Sequence, residues 1–75
     1  MTLVINARGR RCPLPILDLA RHIAEVPVGE TVVVEADDPA ALPDVQAWCR
    51  MRKHEYVGAS SSIDGTPAYT VRRLR

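Results

Sequence analysis

The chain has 75 residues, 47% of them apolar and 25% charged, and a formal net charge of +1. That is the length of one domain, residues 1–75, in the balance of a globular protein rather than a disordered segment. A net charge so near zero sets up no global field to draw in nucleic acid or an anionic membrane, and no apolar run approaches the ~18 residues of a membrane span.

Thr2 to Asn6 (TLVIN) is a short β-rich run closed by Ala7-Arg8-Gly9, which predicts a first strand. Pro13 to about Val26 reads as a helix. Ile16, Leu19, Ala20, Ile23 and Ala24 fall at helical spacing, with Asp18, Arg21 and Glu25 off that stripe, and Pro27-Val28-Gly29 supplies the stop. Thr31 to Ala36 (TVVVEA) is the β-branched run of a buried strand. Pro39 and Pro43 are four apart. A helix begun at Pro39 would meet a clash with the Pro43 ring, so the reading is a turn from Asp38 to Leu42 with Pro43 opening a second helix. That helix runs to about Lys53 and is expected to bury Val45, Trp48, Cys49 and the stem of Arg52. Val57 to Ile63 and Ala68 to Leu74 are two further strands, joined at Asp64-Gly65 by a loop slightly longer than two residues.

The order is β-α-β-α-β-β. The first two strands are parallel neighbours through a right-handed crossover, and the last two form an antiparallel hairpin. Two helices cannot cover both faces of four strands. The expected fold is therefore α/β in composition and α+β in layout: a two-layer sandwich, a four-stranded mixed sheet with both helices on one face.

The chemistry gathers in RGRRCPLPIL, residues 8–17. With Cys12 at the N-cap, Pro13 is the first helical residue and Pro15 the third. Both then sit where an N–H has no intrahelical partner, leaving the Leu14 and Ile16 N–H groups to face the sulfur. The helix dipole and Arg8, Arg10 and Arg11 would favour the thiolate and lower the thiol pKa from ~8.5. Pro15 occupies the place of a resolving cysteine, so dithiol exchange is not available. A persulfide, a reversible cap on a single thiol, is. Hydrolysis would need a base from His22 or His54, which the sequence does not place beside Cys12, and zinc would need soft ligands at short spacing that are absent. Cys49 lies on the buried stripe of the second helix. Two cysteines in so short a chain, and an N-terminus without a basic lead-in or long apolar core, point to a cytoplasmic protein with reduced thiols.

ARGRRCPLPIL, VGETVVVEADDPA, DVQAWCRMRKHEYV and YTVRRL together resemble the TusA/SirA-type small sulfur-carrier proteins over essentially the whole chain. The resemblance implies a β-α-β-α-β-β two-layer sandwich and a motif cysteine that accepts sulfur and passes it to a partner, in tRNA thiolation, molybdenum cofactor supply or sulfur oxidation. Carried over, Cys12 is the sulfur-bearing nucleophile, Gly9, Pro13 and Pro15 its scaffold, and Arg11 the arginine before it. Arg21 and the acidic turn Asp37-Asp38-Pro39 also match. Arg8, Arg10, Arg11, Arg21, Asp37 and Asp38 are thus candidates for electrostatic support or partner docking. Four positions depart from the family: Arg10 where it is usually apolar, Asp18 where it often has lysine, Asn6 for aspartate, and Lys53 for a glycine. The first two are expected to change the surface charge beside the active helix. The partners implied are a protein donor of cysteine desulfurase or rhodanese type and a protein acceptor, with no cofactor, no metal, no membrane and no direct nucleic-acid contact. The competing readings are a non-catalytic regulatory or protein/RNA-binding module and a redox thiol switch.

Overall fold

A computed structural model describes residues 2–75. It contains β1 (Thr2–Asn6), α1 (Leu14–His22), a 3-10 turn (Ile23–Glu25), β2 (Thr31–Glu35), α2 (Ala41–Arg52), β3 (Glu55–Ser61) and β4 (Pro67–Arg72). The sheet order is β1-β2-β4-β3. β1 and β2 are parallel, from Thr2 opposite Thr31 to Asn6 opposite Glu35. β4 runs antiparallel to both its neighbours, with an irregularity between Tyr56 and Gly58 in β3. This is the expected mixed sheet with two helices, an α+β fold.

The core follows from alternation. Ile5, Val32, Val34, Tyr69 and Val71 turn to the helical layer and meet Leu19, Ile23, Val45, Trp48 and Cys49. On the opposite face, Val4, Val33, Thr70 and Gly58 form a cross-strand row, and Val4 is 55% exposed.

Element ends differ from the expectation in instructive ways. The first helix gives way to the 3-10 turn after His22, four residues before Val26. Leu19 and Ile23 are buried as the stripe requires, but Ala24 is exposed, and Asp18, read as off the stripe, is buried. The second helix starts at Ala41, so Pro43 is its third residue rather than its first. No clash arises because Pro39 lies outside the helix, and the third N–H of a helix has no intrahelical partner for a proline to forfeit. The last two strands each begin and end one or two residues before their predicted bounds, with residues 62–66 as the hairpin loop. Ser62 N–H donates to the Thr66 carbonyl at 2.9 Å across it.

The α2 C-cap is Lys53, in the left-handed region at φ 62°. Its N–H donates to the Cys49 carbonyl, a geometry that glycine enters without the Cβ penalty. The glycine common at this position in the resembling family therefore has a backbone reason. Two C-terminal arginines, Arg72 and Arg73, are tied down. Arg73 Nη1 donates to the Val26 carbonyl at 2.7 Å, and Arg72 pairs with Glu55 at 3.2 Å.

Candidate functional site

Residues 8–13 form a loop that crosses to the start of α2, and two aspartates hold it there. Gly9 turns at φ +75°, and its N–H donates to both Asp37 carboxylate oxygens at 3.1 and 3.2 Å. The Cys12 N–H donates to Asp38 Oδ2 at 2.7 Å. The other oxygen, Asp38 Oδ1, accepts from Ala40 N–H at 3.1 Å, and the Asp38 carbonyl accepts from Ala41 N–H at 2.9 Å. One carboxylate thus opens α2 and fixes the backbone of the motif cysteine. These contacts, with Arg11 nearby, hold Asp38 below the usual carboxylate range.

Cys12 is exposed and Cys49 buried, and both are free thiols. The N-cap of α1 is Pro13, not Cys12, and the Cys12–Pro13 peptide is cis. Pro15 is accordingly the second helical residue. The two N–H groups expected to face the sulfur are already used: Leu14 N–H donates to the Arg11 carbonyl at 2.7 Å, and Ile16 N–H to the Pro13 carbonyl at 3.1 Å. The expected lowering of the thiol pKa is also overturned. The neighbouring Asp44 carboxylate first, then desolvation, then the charge of Asp38 push the Cys12 thiol up. Carboxylates, not arginines, surround this sulfur.

The arginines are engaged elsewhere. Arg8 is the hub of a network between the two loops. It donates through Nη1 to Glu35 at 2.7 Å and to Asn6 at 3.0 Å, through Nε to Asp64 at 3.0 Å and Thr66 at 3.1 Å, and through Nη2 to Ser62 at 2.9 Å. Ser62 also donates to Asp64. Arg10 makes a two-pronged pair with Asp18, Nε to Oδ2 at 2.8 Å and Nη2 to Oδ1 at 3.0 Å, and Arg21 adds a third bond at 3.0 Å. The two departures read as changes of surface charge therefore satisfy each other. Arg11 is exposed and acts on Asp38.

Beside Cys12 a groove of about 230 Å³ runs between α1 and α2. Pro13, Ile16, Ala47, Trp48 and Met51 make it apolar, and Asp44 stands with Cys12 among its lining residues. Met51 is 74% exposed, a large apolar side chain left in water next to the thiol. Trp48 is buried, and its ring stacks on His54 at 5.2 Å between centroids, which backs one side of the groove. Sequence reading placed Trp48 in the core and did not single out Asp44, Met51 or Ala47. Helical spacing put Asp44 one turn before Trp48 on α2, but only the packing of α2 against α1 brings it to Cys12. A larger groove of about 480 Å³ lies along β1 and α1, where Arg10, Asp18 and Arg21 pair with one another and His22 pairs with Glu25. It holds no thiol, and its charges are mutually satisfied. Among the described residues, no group of three His, Cys, Asp or Glu side chains is arranged to hold a metal ion, and no helix is long and apolar enough to cross a membrane.

A small two-layer domain with one exposed thiol on the rim of a shallow groove, and no second cysteine or histidine lining it, defines a one-thiol protein suited to carrying a group covalently. Residues 3–73 match the family described as "Sulfurtransferase TusA", and the chain belongs to that family. It is 32% identical over 60 residues to "Putative sulfur carrier protein YrkF" of Bacillus subtilis (strain 168), covering 80% of this chain and 32% of that protein. The chain thus spans about a third of that relative's length. The crystal structure of a SirA-like protein from Desulfitobacterium hafniense has the same fold, with a TM-score of 0.80 at 21% identity and full coverage of both chains.

Proposed function

We propose that the protein is a sulfur carrier: Cys12 accepts a sulfane sulfur from a protein donor, holds it as a persulfide and passes it to a protein acceptor. The observation that carries this reading is the contrast between the two thiols. Cys49 is sealed in the core, where burial pushes its pKa up to about 11, whereas Cys12 is exposed on a loop held by Asp37 and Asp38 beside an apolar groove. Membership of a sulfurtransferase family supports the same reading. A groove this shallow does not enclose a small substrate, so a second protein must complete the site and bring the two sulfurs together. The donor is a cysteine desulfurase or rhodanese type of protein. The acceptor belongs to tRNA thiolation, molybdenum cofactor supply or sulfur oxidation, and the work is done in the cytoplasm.

The pairing of Arg8 with Glu35 and Asp64, and of Arg10 with Asp18, gives less support to a nucleic-acid-binding module, which needs unneutralised cations for phosphate. The test is incubation with a cysteine desulfurase and cysteine, or with a rhodanese and thiosulfate, followed by intact-mass spectrometry. Wild type and Cys49→Ala should each gain one sulfur atom, and Cys12→Ala none. Loading that persists in Cys12→Ala, or no loading from either class of donor, would overturn the proposal.

A further inference from the structure

β1 is an edge of the sheet, and among the described residues it pairs with β2 alone. One bond fixes the side to which each of its amides turns. The Ala7 N–H donates to the Glu35 carbonyl at 2.8 Å, so strand alternation turns the amide groups of Leu3 and Ile5 to β2 as well. The N–H and C=O groups of Thr2, Val4 and Asn6 therefore face outward, away from β2. An edge of this kind invites strand addition unless something blunts it. β3, the opposite edge, is interrupted by the irregularity between Tyr56 and Gly58. β1 keeps an unbroken register from Thr2 to Asn6 and has no proline and no charged side chain.

The groove of about 480 Å³ runs along this edge. Leu3, Val4, Ile5 and Asn6 all line it. Successive side chains of a strand point to opposite faces, so a wall made of consecutive residues is the flank of the strand rather than one face. The far wall is α1 with the loop before it, and its charges pair unevenly along its length. Arg10 and Arg21 share the single carboxylate of Asp18, which leaves a positive excess at the Asn6 end, where Arg10 follows β1. α1 runs back against the direction of β1, as a helix joining two parallel strands must, so Glu25 lies toward the Leu3 end. Glu25 pairs with His22 and, among the described residues, with no arginine.

The geometry points to a second copy of this chain as the occupant: two molecules join β1 to β1, antiparallel about a two-fold axis at Val4, into one continuous sheet. The outward amides require that centre. Val4 faces its own counterpart as a hydrogen-bonded pair that exchanges both N–H···O bonds, and Thr2 faces the second copy's Asn6 in the next such pair on either side. Every outward amide group of β1 is then bonded. The side chains match in the same register. Leu3 comes opposite Ile5, apolar against apolar, and the exposed Val4 side chain meets its twin. The same rotation lays the Glu25 end of one groove against the arginine end of the other, so unlike charges meet on both sides of the axis. A contact that uses the same patch on both molecules closes at two and grows no further. The Cys12 loops follow the C-terminal ends of the two β1 strands, which point in opposite directions, so both thiols stay open to other proteins.

The test is sedimentation equilibrium of the full chain over a broad range of concentration, with reductant present so that no thiol cross-link forms. Wild type should pass from 8.3 kDa to twice that mass as concentration rises. Val4→Pro should raise the Kd of the dimer by roughly tenfold or more. Proline is tolerated there in the monomer because the Val4 N–H faces away from β2. Val4→Lys, which keeps the backbone amide and sets two like charges on the axis, should weaken the dimer likewise, and Glu25→Lys should weaken it by less. Circular dichroism and the rate of Cys12 alkylation by iodoacetamide should match wild type in Val4→Lys, which keeps a lost dimer distinct from a lost fold. In amide exchange, raising the concentration should slow Val4 and Asn6 and leave β3 unchanged. A chain that stays monomeric at every concentration would overturn the inference. So would a dimer indifferent to both Val4 substitutions, or one whose added protection falls on β3.

Discussion

Replacing Arg10 by leucine should be more damaging than replacing its partner, although both changes remove the same ion pair. The Asp18 side chain is 13% exposed and that of Arg10 39%. Arg10→Leu strips two hydrogen bonds, of 2.8 and 3.0 Å, from a carboxylate that cannot turn to water, leaving it only Arg21, itself 66% exposed. Breaking a fully buried pair costs about 3–5 kcal/mol and losing an exposed one about 0.2–1 kcal/mol. This pair lies between those limits, so Arg10→Leu should cost about 2 kcal/mol. Asp18→Leu leaves a half-exposed guanidinium that can reach solvent and puts an apolar side chain on a buried position, so it should cost about 1 kcal/mol or less. With both leucines no charge is stranded. The double variant should return close to wild type, giving a coupling energy of about 2–3 kcal/mol. For a domain of this size, about 2 kcal/mol lowers Tm by roughly 8 to 16 °C. Four urea titrations at pH 7, followed by circular dichroism, complete the cycle. A coupling below about 0.5 kcal/mol would refute the reasoning, because the two departures would then be independent surface changes.

Two further outcomes follow from single residues. Lys53→Gly relieves a left-handed lysine, worth about 1–2 kcal/mol, against about 0.4–1 kcal/mol of added unfolded-state entropy, so Tm should rise by a few degrees in a thermal melt. An unchanged or lower Tm would show that the lysine side chain contributes something the backbone argument omits. Asp38 and Asp64 are both held below the ordinary carboxylate range, Asp38 by the Ala40 and Cys12 N–H groups and Asp64 by Arg8 first and then Ser62 and Thr66. Each therefore contributes stability that is present above the unfolded-state pKa near ~4 and is lost as pH falls through the lower folded value. Wild type should lose stability steadily below about pH 4, and Asp38→Asn with Asp64→Asn should flatten that acid limb in urea titrations between pH 2 and 6. An acid limb of unchanged slope would rule these two carboxylates out as its source.

The sequence by itself determined the architecture, because local rules carry it. The stripe of Leu19 and Ile23, the β-branched run at Val32 to Val34, and the turn residues at Pro27-Val28-Gly29 and Asp64-Gly65 each mark an element within a few residues, and the element order leaves one simple way to layer them. It also marked Cys12, the cysteine set between a cluster of arginines and a Pro-x-Pro. What surrounds that sulfur could not be read in the same way. A cluster of arginines adjacent in sequence implies a positive site only if the side chains stay where the backbone puts them. Arg8 and Arg10 instead reach carboxylates 27 and 8 residues on, at Glu35 and Asp18, and the charge beside Cys12 comes from Asp38 and Asp44. The sign of a field depends on distances in three dimensions, and those arise only when α2 packs against α1. Sequence proximity singled out Cys12; tertiary packing decided that carboxylates, not arginines, stand beside it.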